Sequence, residues 1–236
     1  PRQKRLLYDS GLKVPLIIRF PDGQRAGKRD KRLVSFVDFP MTVLSLAGIE
    51  PPSFMQGKAF EGKFKSKSVR KYIHGHADRF DESVDMIRAV RSKKYKYLKN
   101  FQPEKPYYLP LAFRERLPSM QELLRMRDAG ELDENQSLWF RKTKPEEELF
   151  DTENDPHELN NIASDPQYAN ILFEMRQECV DWMNTIDDKG LIKEKELIES
   201  FYPNRKARQT ESPIIEISTN NVSLLKLTEG SRLGYR

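Results

Sequence analysis

The sequence is poor in the residues that most often announce chemistry. In 236 residues there is one cysteine, Cys179, and there are three histidines, His74, His76 and His157. A lone cysteine excludes an internal disulfide and a cysteine-rich zinc site, and it leaves the compartment open. No run of 18 apolar residues occurs, so no membrane-spanning helix is expected. There is no Gly-x-Ser-x-Gly elbow, no glycine-rich phosphate cradle and no His-Glu-x-x-His pair. A large excess of one charge is also missing: 41 basic residues face 36 acidic ones, a formal net charge of +5. That balance argues against a nucleic-acid partner, yet it suits a basic pocket for an anionic substrate.

What is present is core material and α/β grammar. Thirteen Phe, nine Tyr and two Trp set the chain apart from disordered sequences despite its 33% charged content. Residues 14–20, "VPLIIRF", form a short apolar run between Gly11 and Pro21-Asp22-Gly23, which predicts a strand buried on both faces. A basic loop over 22–32 follows. Asp38 then caps a predicted helix with Pro40 in its first turn, an apolar face of Val43, Leu44 and Ala47, and Gly48 as its stop. "VRKYIHGHAD" reads as a strand, and "MIRAVRS" and "YKYLKNF" as an antiparallel hairpin with one wet face.

Residues 102–118 read as an ordered loop, 119–143 as two short helices broken around Gly130, and "EEELFDT" as a strand. The clearest helix is 166–186, capped by Asp165 with Pro166 at its first position. Its apolar stripe includes Met175, Cys179 and Trp182, which makes Cys179 a core residue. Residues 187–211 read as a charged linker. "PIIEIS", "VSLLKL" and "RLGYR" then look like short strands opening an all-β module.

Few residues stand out as chemical candidates. His74 and His76 are two apart in a strand, so both face one side, where they suit a metal, an anion or simply a polar strand end. Asp151, Glu153 and Asp155 alternate like a calcium loop, but Pro156 stands where such a loop needs Gly, so an acidic turn is expected. Lys28-Arg29-Asp30-Lys31-Arg32 reads as a solvated loop. Lys4 and Arg5 precede a turn that feeds a strand. A lysine there is either a solvated cation or a point charge for a sulfate or phosphate oxygen.

The order of these pieces decides more than any one of them. "KRLLYDSGLKVPLIIRFP", "LVSFVDFPMTVLSLAGIEPPSFMQGKAF", "HADRFDESVDMIRAVRSKKYKYLKNF" and "ELFDTENDPHELNNIASDP" resemble, in sequence order, the later part of the type I sulfatases of the alkaline phosphatase superfamily. The likeness is to the bacterial subgroup similar to heparan N-sulfatases, and it covers roughly residues 3–190. Two positions depart from the pattern: Pro40 stands one place early before Met41-Thr42, and Ala59 takes the usual Ser of the "QGxS" turn.

The resemblance implies an α/β fold. Residues 1–62 would close an α/β/α sandwich, and 63–190 would form a small antiparallel-sheet subdomain packed by the C-terminal helix. Residues 191–211 would be a linker, and 212–236 the start of a β-sandwich module.

It also implies hydrolysis of a sulfate ester or sulfamate, with a sulfated carbohydrate or another small sulfated molecule as partner. The chemistry would use Ca2+ and a formylglycine made from a Cys or Ser. The Cys/Ser-x-Pro-x-Arg motif of that nucleophile is absent, so it and the metal ligands are expected upstream, and the chain alone is expected to be inactive and poorly soluble. Lys4 would contact sulfate. His74, His76, Arg79 and Asp81 become substrate-pocket candidates, and Arg88 reads as one half of a structural ion pair. The resemblance suggests a periplasmic or extracellular setting. The other readings are a non-catalytic sulfated-glycan-binding member of the fold and a phosphoester or phosphonate hydrolase of the superfamily.

Overall fold

Alternation with period two in the middle of the chain does build a sheet. The computed structural model describes residues 6–80, 82–207, 209–219, 221–225 and 228. Lys4, Asp81 and the "RLGYR" run lie outside the described residues. The chain divides into two compact units, residues 1–187 and 188–236. No described helix is long and apolar enough to cross a membrane.

In the first unit β1 (Ile73–Phe80), β2 (Ser83–Arg91), β3 (Tyr95–Asn100) and β4 (Glu147–Asp151) form one antiparallel sheet, each beside its predecessor. The β2–β3 turn is closed by Tyr95 N donating to Ser92 Oγ at 2.9 Å. Side chains alternate between faces. Val90, Tyr97 and Leu149 point to one face and meet Met175 and Cys179 of a long helix. Ile87, Ala89, Leu98 and Phe150 point to the other, where Leu7 and Tyr8 cover them. The expected wet face is therefore absent. The N-terminal segment lies on it, and its polar residues are tied into buried pairs described below.

Before the sheet comes α1 (Asp38–Leu46), between β3 and β4 α2 (Pro118–Ala129), and after the sheet α3 (Ala169–Thr185). Helix α2 stops at Gly130, whose φ of 71° supplies the left-handed cap. Helix α3 is introduced by a 3-10 turn over Pro166–Tyr168, and Asp165 accepts from Gln167 N at 2.9 Å. Cys179 is 2% exposed, a core residue.

Two expectations at the start of the chain are corrected. Residues 14–20 form no strand: Ile17 is 91% exposed, and none of the described strands lies beside them. A strand exists by pairing, and this run has no neighbour to pair with among the described residues. Helix α1 forms, but Val37 holds its cap position and Asp38 lies in its first turn. Its buried residues are polar: Asp38, Thr42 and Ser45. Asp38 accepts from Ser35 N and Lys58 N at 2.8 Å, Thr42 Oγ1 from Phe60 N at 3.1 Å, and Ser45 Oγ from Phe64 N at 2.9 Å. The loop 57–64 can lie this close because position 57 is Gly; a Cβ there would stand 1.9 Å from the Val37 carbonyl oxygen. The expected apolar face is left outward, with Val43 64% exposed.

The second unit includes the stretch that reads as a linker. It contains α4 (Glu194–Phe201), with Glu194 and Glu196 in the first turn, where the helix dipole favours them. Leu197, Ile198 and Phe201 supply helical spacing inside a charged stretch. A hairpin of β5 (Ile214–Ile217) and β6 (Val222–Leu225) follows.

Candidate functional site

Strand β1 carries both histidine candidates on the face that meets α3. His74 Nε2 lies 2.9 Å from Glu178 Oε1, and its ring stacks on Trp182 with centroids 4.8 Å apart and planes 8° apart. Burial pulls the His74 pKa down, and the Glu178 hydrogen bond offsets only part of this. His76 is exposed, with its ring 6.4 Å from the same indole. Trp182 thus brings the two histidines together. Arg79 is exposed and lies past a register shift between Ala77 and Arg79, opposite Val84. Arg88 is fully buried and donates to Asp78 Oδ1 at 2.7 Å, the expected ion pair. Asp81 itself is outside the described residues. Its neighbours Glu82 and Ser83 hold the chain at 110–112: Ala112 N donates to Glu82 Oε1 at 2.6 Å, and Ser83 Oγ to the Pro110 carbonyl at 3.0 Å.

The segment following Lys4 is anchored to the opposite face of the sheet. Lys96 Nζ, 1% exposed, reaches Asp9 Oδ1 at 2.6 Å, the Leu7 carbonyl at 2.9 Å and Glu158 Oε1 at 3.0 Å. Arg91 Nη2 adds a second cation 3.2 Å from Asp9 Oδ2. Burial would raise the Asp9 pKa, but the Arg91 hydrogen bond and the Lys96 charge outweigh it and hold the carboxyl below its ordinary value. Glu158 goes the other way, because burial outweighs the same lysine.

A second buried group lies beside it. Tyr8 donates to Glu148 Oε2 at 2.9 Å and Asn100 Nδ2 to Glu148 Oε1 at 2.7 Å, and burial pushes the Glu148 pKa up. Lys144 Nζ meets Asp85 Oδ2 at 2.5 Å, both buried. Tyr8, Asp85, Asn100, Lys144 and Tyr107 border a cavity of about 10 Å³, barely room for one water.

The sequence reading missed these clusters, because Lys, Asn and Glu at alternating strand positions look solvent-facing. The available signal was register: Lys96, Asn100 and Glu148 fall on the same face as Leu98 and Phe150.

A larger hollow, about 390 Å³, lies between the 25–34 loop, the 58–70 loop and the β2–β3 turn. The run Lys28–Arg32 that reads as a solvated loop contributes Arg32, which meets Asp30 at 2.6 Å and Glu61 at 2.8 Å. Among the described residues no three His, Cys, Asp or Glu side chains stand together to hold a metal ion. The donor set for calcium is thus not found among them.

Comparison with known proteins gives these pieces a family. The family model for the C-terminal part of N-sulphoglucosamine sulphohydrolase matches residues 2–115. This match and the sulfatase relatives support the C-terminal region of a type I sulfatase. An ulvan-active sulfatase of Formosa agariphila is 49% identical over 237 residues, covering all of this chain and 40% of that protein. Human N-sulphoglucosamine sulphohydrolase is 23% identical over 198 residues, 77% of this chain and 38% of the enzyme. A solved 2-O GAG sulfatase superposes with a TM-score of 0.42 at 22% identity, over 64% of this chain and 25% of that one. The chain spans well under half the length of each.

Proposed function

We propose that this chain is the C-terminal portion of a sulfatase that hydrolyses sulfate esters or sulfamates of a sulfated carbohydrate. The observation that carries the reading is 49% identity along the whole chain to an ulvan-active sulfatase 40% of which it covers. The inverted helix α1 and the exposed run 14–18 support it: they offer an apolar surface that the rest of such a protein would cover. The calcium ion and formylglycine implied by the resemblance do not fit the described residues, and in this reading both belong to the preceding part of the protein. A periplasmic or extracellular setting belongs to the same proposal.

Within that reading the chain has two tasks. Its buried Lys96–Asp9–Glu158 cluster fixes the segment that follows Lys4, so that Lys4 presents a point charge to a sulfate oxygen as negative charge develops there. Its β1 strand and β1–β2 turn line the substrate pocket through His76, Arg79 and Asp81. His74, the fourth candidate, bonds Glu178 and stacks on Trp182, the indole that also faces His76.

The test is sulfate release by the full-length gene product from ulvan oligosaccharides and from a panel of sulfated sugars. Lys4→Ala should lower kcat/KM by at least about 30-fold, the loss of roughly 2 kcal/mol for one charge-assisted contact. Turnover within about two-fold of the parent would remove Lys4 from the site.

A further inference from the structure

The hollow beside α1 has the composition of an anion site. Seven basic side chains line it against two acidic ones, Asp30 and Asp38. Part of that charge is neutralised internally: Arg70 pairs with Asp38, and Arg25 and Arg32 pair with Glu61. Lys65 lies 3.8 Å from Glu61 and Lys58 Nζ 3.2 Å from Ser68 Oγ, whereas Lys67 and Lys93 make no ion pair among the described residues. The buried carboxylates of Asp38 and Glu61 thus hold three of the arginines, while Lys58, Lys67 and Lys93 line the hollow together with Ser66 and Ser68. Its volume of about 390 Å³ falls within the range of small-molecule sites.

Position also matters. The hollow lies on the side of α1 that presents Asp38, not on the side of Val43 and Leu46.

We propose that this cleft binds a sulfated oligosaccharide, with Lys67, Lys93 and Lys58 holding sulfate groups and Ser66 and Ser68 bonding sugar hydroxyls. The proposal deepens the sulfatase reading and rests on it for the ligand class. Ammonium groups act as point charges for the three terminal oxygens of a sulfate. Among the described residues Phe60 is the sole aromatic side chain lining the hollow, and its ring already packs edge-on to Phe39 at 5.9 Å. Single-stranded nucleic acid, which needs a row of exposed aromatic faces, fits poorly.

The experiment uses the full-length gene product and an ulvan tetrasaccharide, with its desulfated form as control, in titration calorimetry at fixed ionic strength. A Lys67→Glu/Lys93→Glu double variant should lose at least ten-fold in affinity and raise KM for the tetrasaccharide with kcat kept. Lys67→Arg/Lys93→Arg should bind within about three-fold of the parent, and the desulfated sugar should not bind. Unchanged affinity in the Glu variant overturns the proposal. So does equal competition by a single-stranded DNA of matched charge, which would mark general polyanion attraction. If the protein releases no sulfate from any sugar yet the Glu variant still loses tetrasaccharide binding, the sulfatase reading fails and the cleft stands.

Discussion

Two stretches of the first unit are similarly apolar and end up in opposite states. In the sheet and its helix, Val90 and Leu149 are 0% exposed. In residues 14–49, Ile17 is 91% exposed and Phe36 68%. The difference is partners, not composition. The sheet strands find each other in sequence order through short or self-packed connections, and α3 returns to cover one face. None of the described strands lies beside the 14–20 run, so its backbone groups lack a sheet partner there. Helix α1 makes the contrast sharper, because it buries a polar stripe under the 57–64 loop and leaves its apolar stripe outward. An apolar face is a request for a neighbour; among the described residues the sheet's is met and that of α1 is not.

The largest effect should come from breaking the sheet side of this contrast. Lys96→Met removes the cation shared by Asp9 and Glu158, both buried, and leaves Glu158 with the Asp9 amide but no cation. The expected loss is about 3–5 kcal/mol, the usual cost of stranding a buried charge. A urea midpoint unchanged from the parent would show that the cluster does not anchor the N-terminal segment. Next comes Trp182→Ala, which removes the indole stacked on His74. Because Trp182 is only half-buried, about 2 kcal/mol is expected rather than the larger cost of a fully buried Trp. The cost should appear in thermal unfolding.

The pH dependence divides in the same way between groups of the sheet. Burial raises the Glu148 pKa above its ordinary 4.5. The folded state therefore binds more protons than the unfolded one above that value, and stability falls as pH rises from 4.5 through the folded pKa. Glu148→Gln should flatten the decline, by on the order of 1 kcal/mol, read as urea midpoints between pH 4.5 and 8. Asp9 has the opposite sign. Its pKa is held below 3.8, so its contribution is present above that value and is lost as pH falls through the folded pKa. A Glu148→Gln profile that still fell by the parental amount would assign the decline to another group.

How much of this was legible follows from what each signal depends on. Helix α3, the β2–β3 hairpin and the Gly130 stop are local: Asp165-Pro166, the two alternating runs and a left-handed glycine suffice to specify them. The 14–20 run was misread because buried-strand periodicity states what a segment can do, not whether a neighbour is present. Helix α1 was misread in orientation because Asp38, Thr42 and Ser45 look like a wet face until loop 57–64 brings its amides to them. Helix α4 hid in a charged stretch. At the site, His74 and His76 were legible as a pair, and Arg88 as an ion-pair partner. Trp182 as the link between the histidines, the Lys96 cluster and the cleft of Lys67 and Lys93 needed contacts far apart in sequence, such as residue 93 meeting the 58–70 loop.

The smallest effect is the one that best sharpens the contrast. Ile17→Ser changes a side chain that is 91% exposed in this chain. Surface substitutions of that kind fall within about 0.5 kcal/mol, so unfolding of the isolated chain should not shift. In the full-length gene product the same substitution should cost about 2 kcal/mol or more, if the proposed covering of the 14–18 run is right, because an apolar side chain is then exchanged for a hydroxyl in a buried strand. The pair of measurements isolates the neighbour as the variable. Equal and small shifts in both proteins would show that this run stays at the surface and that its apolar residues serve something other than a sheet.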